Sequence, residues 1–247
     1  MGPSKTSRLG SLWPWAKGTK AQQRHARKDS SAKTPPTPSL TPVAPGVASV
    51  EPPTSLRLSH EVVGDKTVYS GWRNVIRRRV KEPTGQVRSY DIITQEHPSV
   101  LVFTWDTRTN TTTILKEFYP GLGRVMYGIV GGLYERSKHD SPMQAAAFEL
   151  DEEAHLHGGS WHGLLREEDT TTGLGKYSSQ TFHCFLCVDP EENANPRPLD
   201  EGEFIEFRRG VTLEEVRQMV LGGDMSMTAS FASLLAMEKL RELGHVM

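Results

Sequence analysis

Gly128 to Leu156 reads GIVGGLYERSKHDSPMQAAAFELDEEAHL, and this stretch decides how the chain folds. Its opening belongs to an apolar strand, RVMYGIVGG, that ends on Gly131 and Gly132. After a polar loop, Ser141 offers an N-cap, Pro142 suits the first helical position, and Gln144 completes an S-x-x-Q capping box. Gly158 and Gly159 are expected to close the helix. At 100° per residue, Met143, Ala146, Ala147, Leu150 and Ala154 form one apolar stripe, which should face a sheet. Glu149, Glu152 and Glu153 gather on the other side. Like charges three and four residues apart destabilise a helix by roughly 0.2 to 0.5 kcal/mol per pair, and the negative end of the helix dipole adds to that cost. Such a cluster calls for a compensating cation, and an all-oxygen donor set selects Mg²⁺ or Mn²⁺ over zinc. A solvated acidic helix face is the other reading of the same pattern.

Outward from this helix the chain alternates strand and turn signals. TVYSGWRNVIRRRVKEPTGQVRSYDII (67–93) reads as strands around the turn EPTGQ. SVLVFTWDT and TTTILKEFY, joined by RTN, read as a hairpin whose first strand is apolar enough to be buried on both faces. Further strands are expected near Trp161 to Leu165, Thr181 to Val188 and Glu203 to Arg208. Helices are expected over Thr212 to Val220, opened by the capping string TLEE, and over Met227 to Leu243, with Phe231, Leu234 and Leu235 on one stripe. Together these elements predict a mixed α+β or α/β fold, with a mixed sheet sandwiched between helices.

Composition sets the boundaries. The 247 residues are 36% hydrophobic and 24% charged, enough for one substantial core. The net charge of −1 conceals an asymmetry: the first fifty residues hold eight basic side chains against Asp29 alone, leaving 21 basic and 29 acidic residues in the remainder. The acidic body lacks the basic surface of a generic nucleic-acid binder. Nine of the sixteen prolines fall before residue 54, so residues 1–55 are expected to form a disordered basic tail, and residues 56–247 the folded domain. A basic, acid-poor N-terminus also fits an organellar, for example mitochondrial, transit peptide; the alternative is a plain cytoplasmic tail. No eighteen-residue apolar run exists, which excludes a membrane-spanning helix. Cys184 and Cys187 are too few for a disulfide framework, and an intracellular protein is expected. Lying three apart on a strand, they face opposite ways and read as core residues rather than a metal pair. His155, His157 and His162 could approach the acidic cluster or serve as ordinary residues near a helix end. No G-x-S-x-G elbow supports a serine hydrolase.

The 128–156 stretch resembles the Nudix box of the Nudix hydrolases, in which a glycine-containing loop precedes a helix carrying Arg-Glu-apolar-x-Glu-Glu-x-Gly-apolar. Phe148 to Leu156 occupy those nine places. The resemblance implies that Glu149, Glu152 and Glu153 hold divalent ions that bridge a diphosphate while water attacks phosphorus, with Glu149 or Glu153 assisting the water. Gly131 and Gly132 would shape the metal-side loop. Phe148 stands where the family has its arginine, which orients the catalytic glutamate; His155 replaces the late glycine, and Asp140 best matches the loop glutamate. Over residues 58 to 242 the chain is similar to the ADP-ribose and ADP-sugar pyrophosphatase branch. Tyr119 stands in for that branch's substrate-binding arginine before a proline, and Gln180 lies near the place of its loop acid. The resemblance implies a homodimeric hydrolase that cleaves a nucleoside diphosphate sugar to AMP and a sugar phosphate. Two alternatives stay open: a Nudix-fold binding or scaffold module in an organellar RNA-processing complex, and an enzyme acting on RNA 5′ di- or triphosphate ends.

Overall fold

Ser99–Trp105 is buried along its whole length, and a strand buried on both faces needs cover on both. The computed structural model, which describes residues 59–167 and 170–247, supplies it. In chain order the elements are β1 Glu61–Ser70, β2 Asn74–Lys81, β3 Val87–Thr94, β4 Ser99–Trp105, β5 Thr112–Tyr119, β6 Arg124–Gly128, β7 Val130–Leu133, α1 Pro142–Ala154, β8 Leu156–His157, β9 Ser160–Gly163, β10 Thr172–Gly173, β11 Thr181–Val188, β12 Glu191–Glu192, β13 Ile205–Val211, α2 Leu213–Leu221 and α3 Met227–Glu242. The expected tail, residues 1–55, lies outside the described residues, as does the start expected for the domain.

β4 lies at the centre of a mixed sheet in the order β10-β11-β4-β7, with β9 also paired to β11. β4 runs parallel to β11 and antiparallel to β7. Side-chain alternation then divides the core. Leu101, Phe103 and Trp105 point into a cluster with Ala229, Ala232, Ala236 and Leu240 of α3. Val100 and Val102 point into a second cluster with Met143, Ala146 and Leu150 of α1. The sheet is thus held between α1 and α3, as the sequence predicts, each large buried side chain contributing roughly 1.5 to 3 kcal/mol of transfer free energy. Cys184 and Cys187 fall in opposite clusters. Among the described residues no helix is long and apolar enough to cross a membrane.

Four local expectations are corrected. β4 and β5 form no backbone ladder beyond the bridge Asp106 to Thr111 past their ends, after which β5 departs into a separate sheet, β13-β5-β6. The reason is competition: β4 finds its ladders in β11 and β7. For the same reason RVMYGIVGG breaks at Ile129 into β6 and β7, one in each sheet. α1 ends earlier than its glycines predict. His155 adopts the left-handed conformation, φ 53°, and caps the helix, while Arg209 Nη2 donates to the Ala154 carbonyl (2.8 Å) and so satisfies a terminal acceptor from outside. On α3, Phe231 and Leu234 are exposed and the small residues are buried; close approach to the sheet favours alanine over bulky side chains there.

β1, β2 and β3 form an antiparallel sheet of their own. Arg77 pairs with Asp91 and Arg78 with Asp65 across its surface, so two of the three consecutive arginines are in solvated cross-strand pairs.

Candidate functional site

Two glycines let α1 lie directly on β7. A Cβ at Gly131 would sit 2.7 Å from the Val100 carbonyl oxygen, and one at Gly132 only 1.8 Å from Glu149 Oε1. The bare backbone is therefore what makes room for the acids. Ser141 fixes the start of the helix, its hydroxyl accepting from the Gln144 N–H (3.1 Å). At the other end of this register, the Gly131 N–H donates to Glu153 Oε2 at 2.8 Å.

The three glutamates consequently differ. Glu153 is buried, 7% exposed; burial pushes its carboxyl well above the usual range, opposed by the Gly131 hydrogen bond. Glu149 is raised to about 7, first by burial and then by Glu152, Glu203 and Asp200, against a backbone hydrogen bond from Leu133. Glu152 is raised by burial, partly offset by Arg197. Among the described residues no three Asp, Glu, His or Cys side chains are set at metal-binding spacing, so the trio stands as separate carboxylates on one helix face. Their chemistry fits a hard divalent cation: all donors are oxygens, and burial and mutual repulsion disfavour the charged forms that such a cation would stabilise. Glu149, Glu152 and Glu153 are the residues that would hold it.

The glycines also form one wall of a cleft of about 760 Å³, lined further by Glu117, Tyr119, Gln180, Met225 and Thr228. Tyr119 and Gln180, singled out in the sequence, thus meet at the same opening. The Tyr119 hydroxyl is raised by burial, against a hydrogen bond with Ser226. The Gln180 amide points its nitrogen at Ser99 Oγ, 3.5 Å away. Arg73, from the turn between β1 and β2, is the one cation lining this cleft among the described residues. None of the three glutamates is among the residues lining this cleft or a second cavity of about 610 Å³ beside Thr104, Thr112 and Arg209; Glu153 lines a smaller pocket of about 90 Å³ with Glu117, Tyr119 and Gly131.

Asp140 is placed apart from the trio. Its N–H donates to Gln144 Oε1 (2.6 Å), and its carboxylate accepts from Gln144 Nε2 (3.1 Å). It precedes the helix, and the ten residues of rise from Pro142 to Glu152 span roughly 15 Å. Two of the histidines have other surroundings: His155 packs edge-on against Phe207, and His162 is lowered by burial and then by the Lys239 and His245 charges. What periodicity along the sequence does not reveal is the ring of charges from other elements. Glu117 on β5, and Asp200 and Glu203 in the loop before β13, all act on the trio. The only sequence signal for the last two is the acidic run DEGE, residues 200–203.

Comparison with known proteins bears on the fold and the family. No curated protein matches the chain. The crystal structure of an ADP compounds hydrolase superposes with a TM-score of 0.64 at 18% identity, covering 76% of this chain and 97% of that one. At that identity the likeness concerns the fold. Residues 95–231 match the family model described as NUDIX domain, a span that is more than half of the chain and contains the cleft glycines, α1 and all three glutamates, so the protein belongs to the Nudix family.

Proposed function

We propose that this chain is a metal-dependent Nudix hydrolase that cleaves the diphosphate of an ADP-sugar such as ADP-ribose, giving AMP and a sugar phosphate. The observation that carries this reading is the seating of Glu149 and Glu153 on Gly131 and Gly132 at the wall of the 760 Å³ cleft. The fold likeness to an ADP compounds hydrolase supports the choice of substrate class.

Bound by the trio, Mg²⁺ or Mn²⁺ would neutralise diphosphate charge and polarise phosphorus toward attack. The chain's own groups then divide the remaining work. Glu153, fixed by the Gly131 N–H, is the rigid member. Glu149, whose carboxyl burial and the neighbouring acids raise in the metal-free chain, is proposed as the proton acceptor for the attacking water. That water adds its oxygen to one phosphorus, the bridging P–O bond breaks, and the proton leaves on the departing phosphate. Arg73 and the half-buried Tyr119 line the part of the cleft where a nucleotide or sugar would rest. The active form is proposed to be a homodimer.

The test is product release by the full chain, with Mg²⁺ or Mn²⁺ and wild type beside Glu152→Gln: AMP from ADP-ribose, ADP-glucose, NADH and diadenosine polyphosphates, UMP from UDP-glucose, and phosphate or pyrophosphate from 5′-triphosphorylated RNA. AMP and ribose 5-phosphate from ADP-ribose, lost at least about 100-fold in the variant, are expected for a metal-assisted hydrolase. Turnover of the triphosphorylated RNA alone would move the assignment to RNA 5′ ends. No turnover at all would replace an enzyme by a binding module.

A further inference from the structure

α1 has no basic residue in its last turn, and Phe148 stands one turn ahead of Glu152, where the box of the Nudix family carries its arginine. A guanidinium reaches this place nonetheless. Arg197, in the loop between β12 and β13, lies with its Cζ 3.8 Å from the centroid of the Phe148 ring, well inside cation–π range. From that platform its Nη1 stands 3.8 Å from Glu152 Oε1. The loop that carries it is tied to the helix by the residue next to Glu152. Asn193 Nδ2 donates to Asp151 Oδ1 (2.6 Å), and the Arg197 N–H donates to Asp151 Oδ2 (3.3 Å). The Arg197 Nε is also 3.7 Å from that oxygen. His139 closes on Phe148 with ring centroids 5.5 Å apart.

We infer that Arg197 is the positioning residue for Glu152, a guanidinium supplied by a separate element and held on the ring of Phe148. The inference rests on the reading of Glu152 as a metal-site carboxylate. Two details favour it over an incidental surface pair. Arg197 is held by three further contacts besides the ion pair, and the residue that replaces the arginine is the one whose ring face supports the guanidinium. The pair is partly solvent-exposed, at 39% and 21% for the two side chains, and such pairs contribute little to stability. Removing the guanidinium should therefore leave the fold in place and disturb only what Glu152 does.

The experiment compares the full chain with Arg197→Ala, Arg197→Lys and the double variant Phe148→Arg/Arg197→Ala. It measures kcat and KM on ADP-ribose, the Kd for Mn²⁺ from the electron paramagnetic resonance of the free ion, and Tm. For Arg197→Ala, kcat should fall roughly 10- to 100-fold, as when a group orienting a metal ligand is lost, with KM changed less than about threefold. Mn²⁺ should bind several-fold more tightly, because a positive charge roughly 4 Å from a ligand has gone. A residue with only a structural role would not move these two quantities in opposite senses. Arg197→Lys should keep the Mn²⁺ affinity of the wild type and recover little of kcat, since an ammonium lacks the planar fork. The double variant should recover most of kcat. Unchanged Mn²⁺ affinity in Arg197→Ala, or no recovery on returning an arginine at 148, would overturn the assignment, as would a wild type that binds no Mn²⁺. If the wild type binds Mn²⁺ but turns over no ADP-ribose, the proposed substrate fails, while the Mn²⁺ comparison still decides the role of Arg197.

Discussion

A single methyl group distinguishes the two glycines of β7. At residue 132 it would collide with the end of the Glu149 side chain, 1.8 Å away, which can swing aside; at residue 131 it would meet the Val100 carbonyl at 2.7 Å, which is backbone in a paired strand and cannot. Gly132→Ala should therefore fold with a Tm close to that of the wild type but lose at least about tenfold in activity, as displaced catalytic geometry does. Gly131→Ala should lose about 1 to 3 kcal/mol of stability from overpacking, read by urea unfolding. A Gly132→Ala variant of full activity would show that Glu149 does not need this seat. The charge on Glu149 gives a second test. A carboxyl raised from 4.5 to about 7 in the folded state stabilises fully below pH 4.5, and that contribution is lost as pH rises through 7. At about 1.4 kcal/mol per unit, the metal-free chain should lose up to about 3 kcal/mol between pH 4.5 and 8 from this group. Glu149→Gln should flatten that part of the profile, and equal slopes in urea melts with chelator would refute it. The three glutamates were legible from their spacing because a helix dictates which residues share a face. Their inequality was not, since it depends on a glycine strand brought alongside by tertiary packing. Arg197 and Glu203 lie about fifty residues downstream in an irregular loop, where no periodicity constrains position.

Among the elements, α1 was the most legible, because its start is set by chemistry local to the chain. The Ser141 hydroxyl accepts from Gln144 N–H as expected, but the Gln144 side chain reaches back to Asp140 rather than to the cap itself. The reciprocal box is complete instead at α2, between Thr212 and Glu215. Ser141→Ala should cost about 1 kcal/mol and lower activity more than Thr212→Ala at equal loss of stability, since α1 carries the trio; parallel melting curves and rates would show it. Equal activity in the two variants would mean that the helix register is fixed by β7 rather than by the cap. The hairpin reading of β4 and β5 failed for a long-range reason. Adjacent apolar strands joined by a short polar turn satisfy every local rule for a hairpin, yet β11, nearly eighty residues away, takes one edge of β4 in parallel register.

At the scale of the whole molecule, the β1–β3 sheet is the least covered part of the fold. Every residue of β1 except Gly64 is exposed, and Trp72 is 95% exposed, with Tyr69, Val62, Val68 and Ile93 also exposed elsewhere on the sheet. Its ties to the rest of the described chain include the Ile93 N–H donating to the Tyr177 carbonyl and the Ser179 N–H donating to the Ile93 carbonyl, together with the Tyr90–Tyr177 ring stack. Exposed apolar side chains on a small sheet contribute little to folding, and their concentration there suits an interaction surface. A second copy of the chain, as proposed, would cover it. Multi-angle light scattering at micromolar concentration should then give about twice the 27.5 kDa of one chain. Val68→Asp and Trp72→Glu should shift that mass toward the monomer and make Tm depend less on protein concentration, as mass action requires of a dissociating dimer. Because the trio and its glycines all lie within one chain, the monomeric variants should still bind Mn²⁺ like the wild type. What they should lose is KM for the sugar nucleotide, through Arg73, which stands next to Trp72 in the turn that this sheet presents to the cleft. Variants that stay dimeric would place the partner surface elsewhere, and a wild type that is monomeric at these concentrations would refute the dimer.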